Sequence, residues 1–164
     1  MSNTRSQMAD GKSFDNPSKT HLRLWLKMLK ISRLIESELR ERLRLQFNTT
    51  LPQFDVMAAL CRADAGLKMS KLSGELKVSN GNVTGIVDRL VKDDLVQRIP
   101  VEGDRRATMV RLTRKGESAF SAMAVAHEHW VSELMTSLCN DEAAQLWGML
   151  DSVEYRLDNR KPKK

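Results

Sequence analysis

The residues in this chain best placed to do chemistry form a hydrogen-bonding face, not a catalytic set. Around Ser79 to Lys92, a helix at about 100° per residue puts Val83, Ile86, Val87 and Leu90 on one side. The opposite side carries Gly81, Thr84, Gly85, Asp88, Arg89 and Lys92, flanked by Asn80 and Asn82. An asparagine amide offers the donor and acceptor pair that matches adenine in the major groove, and Thr84 can reach a phosphate, a base edge or a thymine methyl. Each interior glycine costs about 1 kcal/mol relative to alanine, so Gly81 and Gly85 on an outer face call for a surface that must approach the backbone closely. A surface helix of poor propensity is the plainer alternative. Further along, Val101-Glu102-Gly103-Asp104-Arg105-Arg106 joins two β-prone runs, Val96 to Pro100 and Thr108 to Leu112. Arg105 and Arg106 are suited to phosphates and to a narrow minor groove, with Asp104 capping the turn and orienting Arg106. Together these features point to duplex DNA.

The elements needed to hold that face follow from periodicity. A first helix over about His21 to Leu45 has Leu22, Trp25, Leu26 and Leu29 on one side and Leu24, Met28, Ile31, Ile35 and Leu39 on an adjoining one, a stripe wider than one core requires. Thr50-Leu51-Pro52-Gln53 is a capping-box pattern, so a second helix starts near Leu51 and stops before Gly66. A short third helix capped by Ser70 carries Leu72 and Leu76, and Ser79 caps the fourth. Thr113 caps a fifth helix with Phe120, Met123, Ala124, His127, Val131 and Leu134. A sixth begins after Asn140 or Asp141 with Ala143, Leu146, Trp147, Leu150, Val153 and Leu157. The expected fold is therefore mainly α with a small β-hairpin wing: a winged helix-turn-helix over about 51–113 and helical dimerisation regions over about 20–46 and 114–158. Residues 1–19 read as a flexible arm and 159–164 as a basic tail, around a single domain over 20–158.

Composition permits this reading. The chain has 164 residues and a net charge of +6, which favours a polyanionic partner. Leu22 to Leu29 is too short and too charged for a membrane span or a signal peptide. The two cysteines, Cys61 and Cys139, have no metal-ligand spacing, and no cofactor is expected. The natural expectation is a reduced, cytoplasmic protein without membrane partners. No glycine-rich phosphate loop or activated nucleophile points to an enzyme. A winged helix used only for protein contacts would show an acidic or apolar outer face on the fourth helix, and this one carries Asn, Thr, Gly, Arg and Lys with one Asp.

The run Val83-Thr84-Gly85-Ile86-Val87-Asp88-Arg89-Leu90, the wing Gly103-Asp104-Arg105-Arg106, and Val110-Arg111-Leu112-Thr113 with Gly116 resemble the multiple-antibiotic-resistance-regulator (MarR) family, over about Leu22 to Leu157. The resemblance implies a homodimeric repressor on a palindromic operator. Asn80, Gly81, Asn82, Thr84 and Gly85 would then face the major groove, Arg89 and Arg105 would join the DNA contacts, and Arg106 would enter the minor groove. Ser70 and Lys71 would meet phosphate at a helix start. It also implies release by a small aromatic ligand. Leu51-Pro52-Gln53-Phe54-Asp55-Val56, Val78 to Thr84, and His127-Glu128-x-Trp130-Val131 are similar to regulators of hydroxycinnamate and related aromatic-acid catabolism, some of which answer to the acyl-coenzyme A thioester.

Candidates for a ligand-pocket wall are Met28, Ile31, Phe54, Met57, Met123, His127 and Trp130, where the first, second and fifth helices should converge. Plain core packing explains the same residues. Arg23, Lys27, Lys30, Arg33, Arg40, Arg42 and Arg44 could meet coenzyme A phosphates or simply be solvated. His127 and His129, two apart on a helix, point in nearly opposite directions, so no metal site is expected there.

Overall fold

A computed structural model describes residues 16–63, 65–76, 80–101 and 104–160. The order is α1 (Pro17–Phe47), α2 (Leu51–Cys61), β1 (Leu67–Lys68), α3 (Met69–Leu76), α4 (Asn80–Lys92), β2 (Val96–Val101), β3 (Asp104–Leu112), α5 (Arg114–Leu134) and α6 (Asn140–Asp158). The chain divides into two units, 1–38 and 39–164, so that α1 belongs to both.

Helix α1 starts at Pro17, inside the arm expected over 1–19. Asn16 supplies the reason: its Oδ1 accepts from the backbone N–H groups of Ser18 and Lys19 at 3.0 and 3.3 Å, and Pro17 takes the first helical position, where no N–H is needed. In its second half, Leu39 and Leu43 are buried. Leu22, Leu24, Trp25, Leu26, Ile31 and Leu34 are exposed.

The core of the larger unit is built on α2. Thr50 Oγ1 accepts from Gln53 N–H, and Gln53 Oε1 accepts from Thr50 N–H at 3.0 Å, the reciprocal capping box anticipated from the sequence. The helix then buries Phe54, Val56, Met57, Ala59 and Leu60 against Leu72 of α3, the Val83-Val87-Leu90 stripe of α4, and Val110 and Leu112 of β3. The sheet is antiparallel in the order β1-β3-β2. Arg98 pairs with Val110 and Pro100 with Thr108, and the register shifts after Pro100. β2 is an edge strand, where a proline is tolerated.

Strand β1 was not anticipated. Leu67 and Lys68 pair with Val110 and Met109. Gly66 makes this possible: its φ is +83°, and a Cβ there would lie 2.6 Å from the Val110 carbonyl oxygen. The chain therefore enters α3 directly from a strand, and α3 begins at Met69. Ser70 lies in its first turn and is not its cap. Its carbonyl accepts from Ser73 Oγ at 2.9 Å.

Helix α5 starts as expected, with Thr113 Oγ1 accepting from Gly116 N–H at 3.0 Å. The same hydroxyl donates to the Asp94 carbonyl at 2.7 Å, and Lys115 Nζ donates to the Asp93 carbonyl at 2.7 Å. A Cβ at Gly116 would lie 1.9 Å from the Leu95 oxygen, so only glycine lets α5 sit this close to the α4–β2 turn. Helix α6 begins at Asn140, one or two residues earlier than expected, with Cys139 N–H donating to Glu142 Oε2 at 2.8 Å. None of its residues is buried.

Candidate nucleic-acid interface

Helix α4 presents two chemically distinct sides. Val83, Val87 and Leu90 are completely buried, whereas Gly81, Asn82, Thr84, Gly85, Asp88, Arg89 and Lys92 are exposed. Burying the three apolar side chains on one stripe fixes the rotation of the helix and sets the polar side outward. A Cβ built on Gly81 or Gly85 meets nothing within 4 Å. Packing within the chain thus gives no reason for either glycine, and both leave the backbone open to whatever approaches from outside.

Asp88 is explained by its partner. Its Oδ1 lies 2.7 Å from Nη1 of Arg98 on β2, so the acidic member of the outer face is an ion-paired strut between α4 and the wing. Sequence reasoning missed Arg98. The β-prone run Val96 to Pro100 was visible, but the pairing of Arg98 across to α4 depends on tertiary placement. Ser70 and Lys71 are exposed in the first turn of α3. The side chains of Asn80, Asp104, Arg105 and Arg106 lie outside the described residues, as do Ser79 and Gly103; the backbone of Asp104, Arg105 and Arg106 belongs to β3, next to the turn.

The ligand candidates divide between the two units. Met28 is half-buried and Ile31 exposed in the smaller one. In the larger, Phe54, Met57, Met123 and Trp130 are buried, Met57 completely, which is how core residues behave. Phe54 stacks on His127 with ring centroids 4.7 Å apart and packs on Phe120 at 5.5 Å. Burial holds the His127 pKa below the ordinary imidazole value, with the nearby Asp55 carboxylate opposing the shift. Phe47 packs on Trp130, whose ring lies 6.0 Å from the Arg42 guanidinium carbon. Arg42 also pairs with Glu133, holding that carboxylate below its usual range. His129 Nε2 lies 3.3 Å from Glu133 Oε1. Met123 additionally lines a cavity of about 370 Å³. Among the described residues there is no cluster of three or more metal-ligating side chains, and no helix is long and apolar enough to cross a membrane.

The MarR family profile matches residues 49–108, the stretch from the α2 cap into β3. The transcriptional regulator MgrA of Staphylococcus aureus is 30% identical over 118 residues, covering 72% of this chain and 78% of its own length. The structure of a MarR family transcriptional regulator from Silicibacter pomeroyi is 32% identical with a TM-score of 0.74, covering 89% of this chain and 99% of that one. A mutant of E. coli MarR complexed with operator DNA is 27% identical with a TM-score of 0.69, covering 87% and 99%. These similarities span α2, α4 and the wing root, the elements whose packing turns the glycine-bearing face outward, and the chain belongs to the MarR family of winged-helix, DNA-binding transcriptional regulators.

Proposed function

We propose that this chain is a homodimeric repressor that sets α4 of each subunit into successive major grooves of a palindromic operator and its wing into the flanking minor groove. The observation that carries this reading is the outer face of α4, where Gly81 and Gly85 have open space beyond their Cα atoms beside exposed Asn82, Thr84 and Arg89. Ser70 and Lys71 serve as phosphate contacts at the start of α3, and Asn80, Arg105 and Arg106 complete the DNA-facing set, with Asp104 orienting Arg106.

The dimer reading is supported by α6. Leu146, Trp147, Leu150, Val153 and Leu157, the stripe recognised from its spacing, are all exposed, Trp147 by 74%. A contiguous apolar stripe of this kind in a soluble chain marks an interface. Release from DNA is assigned to a small aromatic molecule or its acyl-coenzyme A thioester, on the strength of the resemblance to regulators of aromatic-acid catabolism.

The deciding experiment is operator selection from a random duplex pool, followed by binding at several salt concentrations. A palindromic site should emerge, with log K falling by about 0.9 per phosphate contact for each unit of log salt. Absence of duplex binding, or an affinity insensitive to salt, would overturn the proposal.

A further inference from the structure

Two arginines at the root of the wing carry charge that nothing in the chain cancels. Arg111 of β3 sits opposite Gln97 of β2, and its Nε and Nη2 donate to the Gln97 amide oxygen at 2.7 and 3.1 Å, the amide orientation that avoids setting donor against donor. A neutral amide fixes the guanidinium in place without neutralising it, and leaves hydrogens on Nη1 and Nη2 to give. Arg114 opens the 21-residue α5, the helix end where the backbone N–H groups amount to about half a positive charge and a cation is unfavourable. Its neighbour Lys115 is accounted for by the Asp93 carbonyl. The Arg114 side chain is exposed and has no hydrogen bond or ion pair among the described residues.

Both arginines line one cavity of about 440 Å³, bounded by the end of α2, the β2–β3 pair and the start of α5. Buried Leu60 and Leu112 form its apolar part, and Gln97 and Glu117 line it beside the arginines. It shares no lining residue with the cavity that Met123 lines, and none of its residues belongs to α4. Two guanidiniums against the Glu117 carboxylate leave one positive charge, to which the start of α5 adds about half. A monocarboxylate would leave part of that charge unmet. A phosphate monoester carries about −1.5 to −2 near neutral pH and has oxygens enough to engage both guanidiniums.

We propose that this cavity is a binding site for a small phosphate monoester, with the phosphate held by Arg111 and Arg114 and the organic body against Leu60 and Leu112. Gln97 acts as the positioning residue, holding Arg111 ready while leaving its charge to the ligand. Glu117 opposes the phosphate and limits its affinity. The site stands apart from the aromatic ligand assigned above and from the DNA-facing side of α4, so its failure would leave both of those readings where they are.

Phenyl phosphate and adenosine monophosphate, titrated into the full chain by calorimetry at low salt, test the site. Benzoate and adenosine are the matched controls, the first with one charge and the second with none. At least one phosphate should bind, about tenfold or more tighter than its control. Arg114→Gln should weaken binding about tenfold or more without lowering the ligand-free melting temperature, since it removes a cation from the start of a helix. Gln97→Glu should weaken it similarly, because a carboxylate then cancels Arg111 in place, and it decides the matter if Arg114→Gln proves unstable. Glu117→Gln should act in the opposite direction and tighten binding, a sign that mere damage to the fold would not give. Failure of both phosphates to bind the unaltered chain, or undiminished binding by Arg114→Gln and Gln97→Glu, overturns the site. A loss of operator affinity in those variants, with no phosphate monoester bound by the parent, would give the arginines to the DNA backbone and overturn it equally.

Discussion

Gly85→Ala separates the free protein from its complex. Gly85 lies in the interior of the 13-residue α4, and a Cβ added there meets nothing within 4 Å. Replacing an interior helical glycine with alanine gains about 1 kcal/mol, and with no neighbour to crowd, none of that gain is lost to strain. For a chain of this size the melting temperature should rise by roughly 2–4 °C. If α4 approaches the groove floor closely, the same methyl overpacks the interface at a cost of about 1–3 kcal/mol, roughly 5- to 150-fold, at each half-site, and a dimer loses the product of the two. Calorimetric melting and fluorescence anisotropy on a labelled operator measure the two effects. The salt dependence of binding should keep its slope, because no cation is removed. A variant that is more stable and binds operator as tightly as the parent would refute the close-approach argument.

Arg106→Ala should cost on the order of 1–3 kcal/mol and relax preference at the operator flanks, as read by competition with flank-substituted duplexes. Leu150→Asp should shift the protein to monomer in sedimentation and abolish operator binding, since it places an unpaired charge on the exposed α6 stripe that the dimer would bury. Stability should depend on pH through His127, whose folded pKa is lowered by burial. The unfolded chain then binds a proton that the folded chain resists, so the contribution is present above the ordinary value of 6.5 and lost as pH falls through 6.5 towards the folded value. His127→Phe, which preserves stacking on Phe54, should flatten this part of the melting-temperature profile.

The parts of the fold legible in the sequence were those set by local hydrogen bonds. Thr50 with Gln53, and Thr113 with Gly116, mark helix starts because each cap closes within three residues. The buried stripe of α4 was legible for the same reason, since its period is a property of one helix. The start of α1 could have been read from Asn16-Pro17, but the polar first turn hides it from any search for apolar period. What escaped depends on distant partners. β1 exists because Leu67 and Lys68 find Val110 and Met109 more than 40 residues later, and α3 begins at Met69, ahead of the Ser70 expected to cap it. The Asp88–Arg98 pair became visible once tertiary structure had placed its surroundings. Phe54, Met57, Met123 and Trp130 show the complementary difficulty: the residue types that suit a ligand pocket also suit a core, and here they are buried as a core.

The junction at Gly116 determines where this molecule can bend. The Leu95 carbonyl accepts from Thr113 N–H at 3.0 Å and lies under the Gly116 Cα, while Thr113 Oγ1 and Lys115 Nζ hold the carbonyls of Asp94 and Asp93. With three successive carbonyls of the α4–β2 turn engaged by the first residues of α5, the junction has no slack to serve as a pivot. The first turn of α5 and the last turn of α4 are thus tied at one joint and should move together. Bending is left to segments beyond this joint, and the amide hydrogens around Thr113 should be among the slowest in the lobe to exchange with solvent.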